Sequence, residues 1–360
     1  MSKIEETTKN ASGNDLTVNS RHIFRTLKNT LSADPVEKIT ETTIMKKYGL
    51  TRNRARYILN KLESEGYVRR VKGKGTFPIH TNAVSAKGIH IVYGLNNFRE
   101  LIRSGSSATL FALMDGILTA PAVTQCIIKY FIIQDCESTH TVRQRMLNLE
   151  KNNALLFLSP LECLQYVEFC ADEKIPSVSY TADTPSYNFI RHDAAEGTCK
   201  AITYLISQKK KKILFAGYNH LHPASRERLN GYRRALAAHG IPYDAQLIIP
   251  FAGMRDIDLD ALRRALGNGA DAVFISSQTF FNPVSEILKE KKIQYPQNIS
   301  LICFDDVPEF ALQKPAVSAV SPPFTEIGRC ILESLIDMIE FGYRECRKTF
   351  GCNLILRDSA

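Results

Sequence analysis

Thr40–Phe77, TETTIMKKYGLTRNRARYILNKLESEGYVRRVKGKGTF, is the stretch from which the rest of the chain can be read. Thr40 is placed to cap a short helix reaching Tyr48, with Ile44 and Met45 facing inward. Gly49 accepts the left-handed backbone that a tight turn demands. Thr51 is then placed to cap a second helix, where Ala55, Ile58, Leu59 and Leu62 recur at i, i+3, i+4 and i+7 and bury one face. At about 100° per residue, Asn53, Arg56, Tyr57 and Asn60 project from the other face, with Arg52 and Arg54 on its shoulders. Gly66 suits the position just past the helix end. Tyr67–Val71 and Thr76–Phe77 follow as a hairpin about Lys72-Gly73-Lys74-Gly75.

This pattern suits a DNA duplex. A helix in the major groove offers its N-terminal side chains to base edges, and Arg and Asn make bidentate contacts to guanine and adenine. Lys72 and Lys74, on a glycine-flexed wing, are placed to approach phosphates or the minor groove, which makes binding salt-dependent. The competing reading is a basic helical hairpin that is merely solvated. The charge distribution favours the duplex. Residues 1–80 carry 16 Lys and Arg against 8 Asp and Glu, so +8 of the chain's formal +9 lies in its first fifth. Such asymmetry marks a nucleic-acid or membrane-surface module joined to a near-neutral partner domain.

At 360 residues, with 44% hydrophobic and 23% charged residues, the chain has the length and composition of two or three globular domains. No run reaches the roughly 18 apolar residues of a membrane span. The opening MSKIEETTKNASGND has no apolar core of a signal peptide. The expectation is therefore a cytoplasmic protein with no membrane partner. Nine cysteines stand at 126, 136, 163, 170, 199, 303, 330, 346 and 352, without a CxxC pair. They predict free thiols in a reducing compartment and no metal site. No cofactor is expected.

Residues 1–17 are polar and predict a disordered tail. Val18–Leu31 predicts a helix with Ile23, Phe24, Leu27 and Leu31 on one stripe. The DNA-binding domain then spans 18–79 and a polar linker 80–87. From Gly88 to Ala360 strands near 89–93, 127–133, 154–158, 176–180, 212–216, 246–250, 271–275 and 299–304 alternate with helices. That is the βαβ pattern of parallel sheets covered on both faces, and its length calls for two lobes. Two local features have a structural and a functional reading each. Asp193 and Glu196 form a capping box or a ligating pair, and Lys209–Lys212 form a solvated turn or a second basic patch.

Residues 18–79 resemble the winged helix-turn-helix of the GntR family of bacterial regulators. The resemblance rests on the helix pair, on Leu62-Glu63-Ser64-Glu65-Gly66-Tyr67-Val68-Arg69-Arg70 and on Gly73-Lys74-Gly75-Thr76-Phe77. It implies operator contacts from Thr51, Arg52, Asn53, Arg54 and Arg56, and a minor-groove wing at Gly73 to Gly75. Where that family has Pro-Ser-Glu-Arg, this chain has Ile39-Thr40-Glu41-Thr42, so the arginine expected at Thr42 is missing.

Residues 88–360 resemble the effector domain of the LacI/GalR family, which has the type I periplasmic-binding-protein fold. The ordered series is Asp193 with Gly197; Lys212–Gly217, KILFAG; Arg226–Leu236, RERLNGYRRAL; Asp271–Phe274, DAVF; Pro296–Asp306, PQNISLICFDD; Pro315; Ile327-Gly328; and Leu356–Ser359, LRDS. The resemblance implies that Arg228 and Asp305 hold a small polar effector. The chemistry agrees, because Arg offers a fork of donors and Asp paired acceptors to a polyhydroxylated ligand. Arg228 is expected to begin a helix and Asp305 to end a strand, where ligands settle in open α/β sheets. A structural role remains for each: Arg228 paired to a local carboxylate, Asp305 capping a loop. Ser277-Gln278 stands where the family often has Asn-Asp, and Pro322 where a Gln is common. First-lobe contacts are sought around Asn96, Asn97, Ser107 and Thr109.

The combined expectation is a multidomain chain, a small α+β winged helix-turn-helix followed by a two-lobed α/β periplasmic-binding-protein-like domain with parallel sheets. It is a transcriptional regulator of the repressor type. Its partners are double-stranded operator DNA, a sugar-like effector between the lobes, and a second copy of itself in a homodimer. The alternative is a sugar-modifying enzyme with a regulatory DNA-binding head. Against it, Asp305 and Asp306 are strand neighbours that point to opposite faces, and no Walker loop, Gly-x-Ser-x-Gly or HExxH occurs.

Overall fold

The structure, a computed structural model, describes residues 18–33, 39–71, 75–78, 86–96, 98–99, 108–158, 163–180, 187–220, 223–251 and 257–360. The expected tail at 1–17 lies outside them, as do Lys72, Gly73, Lys74, Asn97 and Ser107. The chain divides into one compact unit ending at Ser85 and another beginning at Ala86.

In the first unit, helices α1 (Val18–Ala33), α2 (Glu41–Tyr48) and α3 (Arg52–Ser64) precede an antiparallel pair, β1 (Val68–Val71) and β2 (Gly75–Pro78). The Thr40 side chain accepts from the Thr43 amide and Gly49 takes φ +63°, so the short helix starts and stops as its residues dictate. Ile23, Phe24, Leu27 and Leu31 of α1 are buried, as are Ile44, Ala55, Ile58, Leu59 and Leu62. Gly66 has φ +77° and turns the chain into the hairpin. Ile39 N–H donates to Thr76 O at 2.9 Å, fastening the segment before α2 to β2.

The second unit has two lobes, each built on a six-stranded sheet. Lobe 1 has the order β13-β7-β6-β5-β3-β4: Arg347–Phe350, Phe189–His192, Ser177–Tyr180, Asn153–Phe157, Lys87–Gly94 and Cys126–Ile133. Lobe 2 has the order β14-β12-β11-β10-β8-β9: Asn353–Ile355, Ser318–Ser321, Ser300–Phe304, Ala272–Ile275, Ile213–Tyr218 and Ile248–Pro250. All neighbours pair in parallel except β12 with β14. The central strands β5, β10 and β11 are buried at every residue, as strands covered on both faces must be. The chain passes between lobes after His192, after Ser321 and after Phe350.

Several expectations need correcting. The linker was to run to residue 87, but β3 begins at Lys87, which is buried and pairs with Glu340 at 3.0 Å. Strands β7, β12, β13 and β14 lie in stretches where no strand was expected. Asp193 caps the helix Ala194–Ser207 by accepting from the Glu196 amide, but the other half of the capping box is absent. Glu196 instead accepts from the Cys352 amide at 3.4 Å and pairs with Lys200. Of the two readings of Lys209–Lys212, the turn is what forms. The Lys211 and Lys212 amides donate to the Asp271 carboxylate at 2.8 and 3.0 Å.

Candidate functional site

On α3 the side chains of Thr51, Arg52, Asn53, Arg54 and Arg56 are exposed while its apolar stripe is buried. The periodicity leaves its first turn and a half free to meet another molecule. Thr51 occupies the N-cap position but its side chain makes no cap bond, which corrects the capping expectation. Arg56 Nε donates to Glu41 Oε1 at 2.9 Å and Nη2 to Glu41 Oε2 at 3.4 Å. That bond holds the Glu41 carboxyl below its ordinary range, against a smaller opposing effect of burial. The pair is solvent-screened. Gly75 opens β2 with φ +118°, a backbone that glycine adopts without strain.

In lobe 2 the parallel strands β8, β10 and β11 end side by side, and Gly217, Ser276, Ser277 and Asp305 gather there. Asp305 follows β11 with φ +71°, a conformation Asp tolerates better than most residues. Gly217 has φ +98°, and a Cβ there would lie 2.5 Å from the Phe280 ring and 2.6 Å from Ser276 Oγ. Only glycine closes this corner.

Arg228 lies in the second turn of the helix Pro223–Ala238 and not at its start. Its guanidinium carbon lies over the ring of Phe304, the residue that ends β11, 3.9 Å from the centroid. Nη1 donates to Ser276 O, and Nη2 faces the two Asp305 oxygens at 3.4 and 3.5 Å. Ser277 Oγ donates to Asp305 Oδ2 at 3.4 Å. Arg228 and Asp305, 9% and 5% exposed, form a buried pair. Burial raises the Asp305 carboxyl above its ordinary range; Arg228 and then Ser277 oppose this.

Lobe 1 contributes residues that sequence reasoning missed. Tyr180, ending β6, has its hydroxyl 3.0 Å from Nδ1 of His192, the last residue of β7. The His192 ring lies 5.8 Å from Phe304 and 5.9 Å from Phe324. Burial first, then the Arg228 and Arg191 charges, push its pKa down to about 3, so the imidazole is neutral. His192 Nε2 and Arg228 Nε are buried without a hydrogen-bond partner. Arg191 of β7 reaches Glu227 of the lobe 2 helix at 2.7 Å, an ion pair from lobe to lobe. Only the position of His192 one residue before Asp193 hinted at any of this.

The structure therefore brings Arg228, Asp305 and Ser277 together. Asn96 lies just beyond β3 in lobe 1, exposed, donating to Asp135 Oδ2 at 3.0 Å. Thr109 is half-buried in the first turn of α4 (Ala108–Leu118).

A two-lobed α/β body with polar groups at its strand ends, joined to a helical head with an exposed basic helix, defines an effector-regulated DNA-binding transcription regulator. Residues 202–360 match the family model described as a periplasmic binding protein-like domain. The HTH-type transcriptional regulator AscG of Escherichia coli K12 is 29% identical over 229 residues, covering 58% of this chain and 67% of that protein. The arabinose metabolism transcriptional repressor of Geobacillus stearothermophilus is 24% identical over 333 residues, covering 85% of this chain and 86% of its own length. Among solved structures, a complex of the transcriptional regulator CelR with cellobiose superposes with a TM-score of 0.62 at 20% identity, covering 86% of this chain and 92% of that one. The chain is a DNA-binding transcriptional regulator whose body is similar to the periplasmic-binding-protein-like effector domains of such regulators. No helix among the described residues is long and apolar enough to cross a membrane.

Proposed function

We propose that this chain is a repressor that reads operator DNA through a GntR-type winged helix-turn-helix and releases or grips it in response to a sugar held between the lobes of its body. The observation that carries the reading is the Arg228–Asp305 pair: residues 77 apart in sequence meet, buried, at the strand ends of lobe 2. Open α/β sheets bind ligands at that edge. Ser277 joins the pair from just beyond β10, and Asn96, Ser107 and Thr109 are the proposed first-lobe contacts. The match to the arabinose repressor covers 85% of the chain, whereas the body from Ala86 onward is about three quarters of it, so that likeness extends into the head. CelR was solved with cellobiose, which favours a sugar here as well.

Support for the winged reading comes from the head itself, where an antiparallel pair follows α3 after a three-residue turn. Thr51, Arg52, Asn53, Arg54 and Arg56 are assigned to the major groove and Lys72, Gly73, Lys74 and Gly75 to the wing. A homodimer fits the exposed apolar residues of lobe 1, Phe111 and Leu118 on α4 and Ile127 and Tyr130 on the edge strand β4. Selecting bound duplexes from a random pool and then titrating them with and without sugars tests the whole reading. The expected result is a pseudo-palindromic site, bound more weakly as salt rises, whose affinity shifts with one sugar class. Binding with no sequence preference, or affinity that no sugar alters, overturns it.

A further inference from the structure

Two buried polar atoms near Phe304 have no hydrogen-bond partner. Arg228 Nε belongs to lobe 2, and its guanidinium lies on the Phe304 ring. His192 Nε2 belongs to lobe 1, and its ring lies 5.8 Å from the same phenyl group. His192 is 6% exposed and its other nitrogen is occupied by the Tyr180 hydroxyl at 3.0 Å. Leaving such groups unsatisfied is costly, and native chains rarely tolerate it unless a ligand or an ordered water completes the set.

The charges around the two atoms come in opposed pairs. Arg228 faces Asp305 at 3.4 Å, Arg191 faces Glu227 at 2.7 Å, and Asp306, next to Asp305, is gripped by Arg357 at 2.8 Å. A phosphate or carboxylate entering here finds each guanidinium already opposed by a carboxylate. It also meets the buried Asp305 as a like charge. A hydroxyl fits without that conflict. It accepts from Arg228 Nε–H, and it donates to or accepts from His192 Nε2 according to the tautomer that Tyr180 selects.

We infer that His192 is a ligand-reading residue contributed by lobe 1, and that the cleft it shares with Arg228 and Asp305 takes an uncharged, hydroxyl-rich molecule, a free sugar and not a phosphorylated one. This rests on the reading of the cleft as the effector site. It goes beyond that reading by naming the first-lobe partner and the charge class. His192 ends β7, one residue before the chain crosses to lobe 2, so a bond from it to the ligand ties occupancy to the point about which the lobes move.

The test uses the full chain and a panel of neutral aldoses and disaccharides, including ribose, arabinose and cellobiose, beside glucose 6-phosphate and ribose 5-phosphate. Thermal shift finds the binding probe and calorimetry measures it. The expected result is a neutral sugar that binds, with its phosphorylated form at least tenfold weaker. His192→Phe, which keeps the ring and loses the nitrogen, weakens binding about tenfold, while His192→Asn regains part of it. Circular dichroism and the melting temperature without sugar confirm that both variants fold. Equal affinity in wild type and His192→Phe overturns the role of His192, and tighter binding of a phosphorylated sugar, or no binding by any neutral one, overturns the charge class. Arg228→Ala separates the two levels: if it too binds as wild type does, the reading of the cleft itself has failed.

Discussion

Replacing Arg228 by Met removes the guanidinium that faces Asp305 while keeping most of the stem beside Phe304. Breaking a buried ion pair from one side costs about 3–5 kcal/mol. The separations of 3.4 and 3.5 Å are long beside the roughly 2.7–2.9 Å of a strong charge-assisted bond, which places this pair at the low end, about 3 kcal/mol. For a domain of this size that lowers the melting temperature by about 6–12 °C. Burial already raises the Asp305 carboxyl, and Arg228 is the main group opposing that rise. Without it the folded-state value climbs further above the unfolded one. The folded form then keeps a proton that the unfolded form has released, so stability is full below the unfolded value and is lost as pH rises through the folded value. The deficit of the variant should therefore grow from about pH 4 upward. Urea unfolding across roughly pH 5 to 8 measures it. Arg228→Met/Asp305→Asn, which has no carboxylate to strand, should recover about 1–2 kcal/mol and lose the pH dependence. A single variant within about 1 kcal/mol of wild type at the upper pH, or a double variant no better than the single one, refutes the argument.

Arg52→Ala and Arg54→Ala should each weaken binding to a selected operator by about 1–3 kcal/mol, read by fluorescence anisotropy; unchanged affinity in both removes α3 from the interface. Lys87→Met removes the ammonium group 3.0 Å from the Glu340 carboxylate, a residue only 7% exposed. It should cost about 3–5 kcal/mol in denaturant, and Lys87→Met/Glu340→Leu should restore most of that. Arg191→Ala breaks the pair from lobe to lobe, whose side chains are 31% and 28% exposed. Its effect on unfolding should stay below about 1 kcal/mol. Calorimetry with the binding sugar should nevertheless show weaker binding, and unaltered sugar affinity would remove this pair from cleft closure.

Local pattern was enough for the head's helices because the apolar period and the stop signals agree there. In α3 the buried residues are the four predicted from the 3.6-residue period, and Gly49 and Gly66 stop α2 and α3 with positive φ. The central strands of the body were equally plain, as short apolar runs between helical segments. Strands β7, β12, β13 and β14 were not, because they are three or four residues long and rich in Ser, Arg, Lys and Asn. Such segments become strands only when an existing sheet edge offers them hydrogen bonds. Lys87 was assigned to the linker because a lysine reads as exposed until Glu340, 253 residues away, is brought to it.

The division at the Arg228–Asp305 pair is similar. Arg228 and Asp305 stood out in the chain, the first in Arg226–Leu236 and the second after an apolar strand run. Sequence alone determined the head's helices, the central strands of the body, the basic face of α3, and these two residues as a pair to watch, since those depend on neighbours a few positions apart. Only the tertiary structure decided that the two meet at one edge of lobe 2, that Glu41 holds Arg56, and that His192 brings an unsatisfied nitrogen to Phe304. Each is a contact between separate elements of the chain, and for the two in the body its strength comes from a burial that no local stretch of sequence records.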